Sequence, residues 1–241
     1  MGHREDVIRR VQKLLEYETR VNLHRYPIRI DFSDRAVILE GEVAGPGAKK
    51  VALGKAGAVP GVRGVIDRLR ISPAERKGDG AIRTSLCNRL LQEPEFRNCA
   101  VRARNKGRVE TLREASGDWG GDLEVGIADG VITLEGRVLS LSHKRAAGVI
   151  AWWTPGCRDV INSLDVQPPE DDNDNEVIDA LTLVLEMDPL IQADQIRASC
   201  RDYVVTLYGS ARTTEERRQA EFDAWCIFAV DDVVNRIEVR T

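Results

Sequence analysis

The chain carries five cysteines, three histidines and a recurring basic pair, and these are the residue types that could do chemistry. Cys87, Cys99, Cys157, Cys200 and Cys226 form no CxxC pair and match no zinc spacing, and an odd number cannot pair completely within one chain. They read as reduced, mostly buried thiols, which favours a reducing compartment. His3, His24 and His143 stand in unrelated local patterns. The chain has no GxxxxGK[ST], GxSxG or HExxH motif, so no phosphate loop, nucleophile elbow or zinc helix is expected. The acidic run Glu170-Asp171-Asp172-Asn173-Asp174 lacks the glycine and terminal glutamate of a calcium loop and reads as a solvated linker. The expectation is a chain that is no enzyme, with no metal and no cofactor.

The cations are more informative. Lys49-Lys50, with Lys55 beyond, Lys144-Arg145 and Arg217-Arg218 each stand near the start of an expected helix. Helix N-terminal amides beside cations make an anion site, which suits a phosphate head group or an acidic partner. A solvated helix face explains the same residues. In the third case Glu215-Glu216 precede the pair and blunt such a site. A second recurring polar position holds Asp67, Asn162 and Asn235. A short polar side chain at a strand entry most simply bonds a nearby backbone group.

These positions recur because the chain is a repeat. Taking Gly41, Gly136 and Gly209 as origins, Leu39, Leu134 and Leu207 stand two residues before, and Val37, Ile132 and Val205 four before. Ala52, Ala147 and Ala220 stand eleven after, and Ala56, Ala151 and Ala224 fifteen after. Leu69, Leu164 and Ile237 follow at twenty-eight. Spacing by two marks half-buried strands, and alanines four apart share one helix face that can lie close to a sheet. Upstream, Ile28, Leu123 and Ile196 begin another strand, reached through turns at Ser33-Asp34-Arg35, Asp129-Gly130 and Arg201-Asp202. Amphipathic stripes precede each unit: Val7, Val11, Leu14 and Leu15; Ile82, Leu86, Leu90 and Leu91; Val177, Ile178, Leu181, Val184 and Leu185. The three glycines are structural, allowing a positive φ or a close approach where the second strand ends.

The predicted fold is therefore α+β: three tandem small domains, each helix-strand-strand-helix-strand, with two helices on a three-stranded sheet. The expected boundaries are 1–73, 79–167 and 174–241. The second domain carries an insertion around 98–121. Arg102, Arg104 and Arg108 lie in it, either on an extra hairpin turning at Asn105-Lys106-Gly107 or on a long loop ending in Gly117-Asp118-Trp119-Gly120-Gly121. Trp152 and Trp153 are adjacent and cannot share one helix face, so one of them suits a domain or partner contact.

Composition narrows the class further. Aromatics are 5% and the formal net charge is −4, which fits nucleic-acid binding poorly. No apolar run is long enough for a transmembrane segment. The start, Met1-Gly2-His3-Arg4-Glu5-Asp6, has no apolar stretch, so the sequence as it stands is expected in the cytoplasm, or in the periplasm if a longer chain was trimmed. The charge is graded: residues 1–73 are net +5, 74–167 net +1 and 168–241 net −10.

The last-strand segments read Gly61-Val62-Arg63-Gly64-Val65-Ile66-Asp67-Arg68-Leu69-Arg70-Ile71, Gly156-Cys157-Arg158-Asp159-Val160-Ile161-Asn162-Ser163-Leu164-Asp165-Val166, and Ala229-Val230-Asp231-Asp232-Val233-Val234-Asn235-Arg236-Ile237-Glu238-Val239. With the Val/Ile-x-Leu-x-Gly segments before them, they resemble the BON (bacterial OsmY and nodulation) domain in three copies. The third lacks the glycine at position 229. The resemblance implies a non-enzymatic module that binds phospholipid surfaces or small ligands, tied to osmotic or envelope stress. On this reading Lys49, Lys50, Lys55, Lys144 and Arg145 are the anion- or lipid-binding candidates, joined by the inserted arginines. A protein partner is the other expected contact. The alternative is an assembly protein, a homo-oligomer in which the basic first domain of one chain meets the acidic third of another.

Overall fold

The structure is a computed structural model that describes residues 3–117 and 120–240. The chain divides into two compact units, Met1–Ser72 and Pro73–Thr241.

In the first unit, α1 (His3–Glu16) precedes β1 (Ile28–Ser33), β2 (Ala36–Val43), α2 (Pro46–Gly57) and β3 (Gly64–Ile71). The sheet order is β1-β2-β3, with β1 antiparallel and β3 parallel to β2. The alternation of β2 buries Val37, Leu39 and Val43 beneath Val7, Val11 and Leu15 of α1 and Ala52 and Ala56 of α2. Leu14 departs from the expected stripe: it is 40% exposed, whereas its neighbour Leu15 is sealed.

The second unit holds two copies of this pattern. The first has α3 (Asp79–Gln92), β4 (Ala100–Asn105), β5 (Arg108–Arg113), β6 (Asp122–Ala128), β7 (Val131–Val138), α4 (Leu141–Trp153) and β8 (Asp159–Val166). The second has α5 (Asp174–Met187), β9 (Ile196–Arg201), β10 (Val204–Ala211), α6 (Thr214–Cys226) and β11 (Asp232–Val239). Their sheets run β5-β4-β6-β7-β8 and β11-β10-β9. The helix-strand-strand-helix-strand order holds in all three repeats, and Leu39, Leu134 and Leu207 are fully buried.

The insertion is a hairpin that adds two strands to the sheet edge at β6. Arg113 anchors its end, donating to the carbonyl oxygens of Leu91, Cys99 and Phe96. Asp118 and Trp119, within the expected glycine-rich stretch, lie outside the described residues.

The first two strands of each repeat are joined by two residues of positive φ: Asp34-Arg35, Asp129-Gly130 and Asp202-Tyr203. This is the turn whose twist matches a hairpin. In the third repeat it falls one residue later than the sequence suggests. Asp79 and Asp174, at the starts of α3 and α5, accept from the backbone N–H groups of the turns Asp129-Gly130 and Asp202-Tyr203. Gly136 sits opposite Leu123 at φ +120°, and a Cβ there would run into the carbonyl oxygen of Asp122. Gly209 repeats this against Gln195.

Within the second unit α4 packs on α5 and α6. Trp153 Nε1 donates to Asp223 Oδ1 at 2.8 Å, and Arg89 lies over the Trp153 ring while donating to the Met187 oxygen. Trp153 is thus a contact between the second and third repeats.

Candidate binding surfaces

The two recurring polar positions meet in space. Asn162 Oδ1 accepts from Leu164 N–H and its Nδ2 donates to the Lys144 carbonyl, at 3.3 and 2.7 Å. Asn235 does the same with Ile237 N–H and the Arg217 carbonyl, at 3.1 and 3.0 Å. Asp67 accepts from Leu69 N–H at 2.9 Å but has no proton to give. There the cation steps in: Lys49 Nζ lies 2.9 Å from Asp67 Oδ2 and donates to the Leu69 oxygen at 3.1 Å. The helix start is thereby pinned to the outer edge of the last strand. The side chains also occupy backbone groups that an edge strand would otherwise expose.

The expected anion sites are correspondingly altered. Lys49 is buried rather than offered to a ligand. Lys55 lies 3.6 Å from Glu18. The Glu18 carboxyl is held down at about 2, chiefly by its hydrogen bond to Arg20. Lys50 is half-buried.

In the second repeat the helix start and Arg145 each take a carboxylate, and the chain supplies both. Glu170 accepts from Leu141 N–H at 2.7 Å, and Asp172 pairs with the buried Arg145 at 2.5 Å. Arg145 and Lys144 also lie over the Phe228 ring of the third repeat. The acidic linker is thus solvent-exposed, as expected, but tethered to α4 at Glu170 and Asp172. In the third repeat Glu216 is buried and accepts from the backbone of Gln192 and Arg212, closing its own helix start.

Two of the three inserted arginines are engaged as well. Arg104 pairs with Glu124 and Glu135, and Arg102 faces Asp122. Arg108 is exposed at the hairpin turn. All five cysteines are free thiols. Burial raises Cys87 to about 11, and burial with Asp174 raises Cys200 to about 12, so both stay protonated at neutral pH. Among the described residues no group of three or more His, Cys, Asp or Glu is placed to hold a metal, and no helix is long and apolar enough to cross a membrane.

Compared with family models, the chain matches the BON domain over residues 3–73, 110–168 and 173–241. It belongs to the BON domain family. No curated protein matches the chain. Among solved structures it is similar to the C-terminal domain of CdsD, the structural protein of the type III secretion system of Chlamydia trachomatis, at 15% identity and a TM-score of 0.24, covering 98% of both chains. A second CdsD structure gives 15% identity and a TM-score of 0.25 over 98% of this chain and 92% of that one.

What the BON domains leave open lies elsewhere. In the first, a depression of about 290 Å³ is lined by Arg10, Lys13, Leu14, Tyr17, Val59 and Pro60. Leu14 is 40% and Tyr17 78% exposed, so an apolar surface sits beside two cations. Pairing Leu14 with Leu15 in one stripe conceals this, since adjacent residues on a helix point about 100° apart. The first and third BON domains also have clefts between their first helix and edge strand, about 900 and 720 Å³ in volume.

The second and third domains meet over a buried carboxyl. Asp223 is sealed between them, and desolvation, the nearby Asp188 charge and a hydrogen bond to Asp188 push it up to about 8.

Proposed function

We propose that the chain is a non-catalytic tandem binding module whose first BON domain docks on anionic phospholipid surfaces through α1 and the segment after α2. The observation that carries this is Leu14 and Tyr17 standing exposed beside Arg10 and Lys13, on a domain of net charge +5. An aromatic ring with a polar tip and a leucine fit the boundary between head groups and acyl chains, and flanking cations answer the phosphates. Each such cation contributes on the order of 1 kcal/mol near an anionic surface, so binding is modest and salt-sensitive. Lys49 does not serve because it is buried against Asp67, and Lys55 and Arg10 each carry an intradomain ion pair, with Glu18 and Asp6, so Lys13 is the cation on which this reading chiefly rests. The linker carboxylates at Arg145 give the second domain no open anion site, and residues 168–241 are net −10.

The test is co-sedimentation of the full chain with phosphatidylcholine vesicles, with and without phosphatidylglycerol. Binding is expected only to the anionic vesicles, weakening as salt rises and in Tyr17→Ser. Equal binding to neutral vesicles, or none at low salt, contradicts the reading.

A further inference from the structure

The second BON domain closes its own sheet edge. Strand β4 runs parallel to β6, with Val101 opposite Leu123 and Ala103 opposite Val125, and all four side chains are buried. The third domain has the same edge without that strand, since β9 is terminal in its sheet. Ile196 and Ala198 precede Gly209 by the spacing that sets Leu123 and Val125 before Gly136. Ala198 is only half-buried, whereas Val125 is sealed. The cleft beside it is lined by the apolar Leu185, Ile191, Ile196 and Ala198, with Glu186 and Asp194 also on its wall.

The backbone is ready for a neighbour. Arg201 faces Val204 across the two-residue turn, so alternation along the ladder turns the N–H and C=O groups of Ala198 and Cys200 outward. Among the described residues nothing bonds them. The first domain's edge is less open: Arg4 donates to the Phe32 oxygen, and Arg29 already faces Glu40.

Charge defines the occupant. In the second domain Arg104 of the added strand pairs with Glu124 of the edge strand. The third domain has Arg197 at the position of Glu124, exposed and, among the described residues, without an ion pair. Tyr208 lies opposite it on β10, and Arg236 follows on β11. The sign of the edge is therefore reversed, although the domain as a whole is acidic.

We propose that β9 takes up an extended strand of a partner protein, parallel to β9, with small apolar residues facing α5 and alternating carboxylates facing Arg197. Main-chain bonds supply the attachment, and the alternating side chains supply the selection. This does not depend on the lipid reading.

The test uses the full ¹⁵N-labelled chain and two peptides based on Ala100–Asn105, one natural and one carrying Arg102→Glu and Arg104→Glu. The glutamate peptide is expected to shift the amides of Ile196–Arg201 saturably, and the natural one to leave them in place. Arg197→Glu is expected to weaken the glutamate peptide about tenfold and to admit the natural one, since complementary charge selects the partner. Ala198→Pro removes an outward N–H and is expected to abolish the shifts, while the other amide positions show that the fold survives. No saturable shift at millimolar peptide, shifts centred elsewhere, or an Arg197→Glu variant that binds both peptides as before would overturn the proposal.

Discussion

Asn162 Nδ2 donates to the Lys144 carbonyl at 2.7 Å, tying the last strand of the second BON domain to the first turn of its helix. In the first domain the equivalent residue is Asp67, and the Lys49 ammonium replaces the amide proton that Asp67 lacks. Lys49 and Asp67 thus form one structural unit. Lys49→Ala is expected to destabilise the first domain by about 1.5–3 kcal/mol, the range for a hydrogen bond to a charged group. Adding Asp67→Asn to Lys49→Ala is expected to recover most of that loss, because the amide can then reach the helix carbonyl as Asn162 does. Denaturant titration of the single and double variants measures this.

The linker forms the second such unit. Arg145 is 1% exposed and Asp172 is its charge partner. Arg145→Ala is expected to cost about 2–5 kcal/mol, chiefly through the cavity left by its buried stem, since the released Asp172 is exposed and rehydrates. Arg145→Met keeps the stem and is expected to lose less. Protease sensitivity of 168–173 should rise in both, and an unchanged cleavage rate would show that the linker is not held.

Asp223 makes the second unit's stability depend on pH in an uncommon direction. Its folded pKa is about 8, above the ordinary aspartate value. The folded state therefore keeps a proton that the unfolded chain releases. Stability is greatest below about pH 4 for this group and falls as pH rises toward about 8. Asp223→Asn is expected to flatten that decline, leaving the melting temperature less sensitive between pH 5 and about 8. A profile identical to that of the unaltered chain would exclude Asp223 as its source.

Gly136 at φ +120° faces the Asp122 carbonyl across the hairpin. Gly136→Val is expected to destabilise the second unit by about 1–3 kcal/mol from backbone strain, with further loss from the clash. Circular-dichroism melts of Gly136→Val beside Gly126→Val make the comparison, since Gly126 has no such contact.

The fold was legible because three copies share one register. Leu39, Leu134 and Leu207 locate the sheet core, and paired alanines locate the second helix, without reference to distant residues. The sites were less legible. The recurring cations and the recurring Asp/Asn were each visible, but their meeting joins positions 18 residues apart across a helix and a strand. The docking of Glu170 and Asp172 on α4 spans 29 and 27 residues, and no local pattern signals it. Leu14 looked like core because its spacing fitted a stripe, although Leu15 already held that face. A hairpin turning at Lys106-Gly107 was one of two readings that the residue types allowed, the other being a long loop, and pairing of its basic strand with Glu124 and Glu135 needed the sheet order.

The most direct test of the account compares two charge reversals on anionic vesicles at low salt. Lys13→Glu reverses a cation beside Leu14 and Tyr17, and Lys55→Glu reverses one near Glu18. At least about a fivefold loss of vesicle affinity is expected for Lys13→Glu, with a much smaller change for Lys55→Glu. Equal losses in the two variants, or a loss confined to Lys55→Glu, would contradict it.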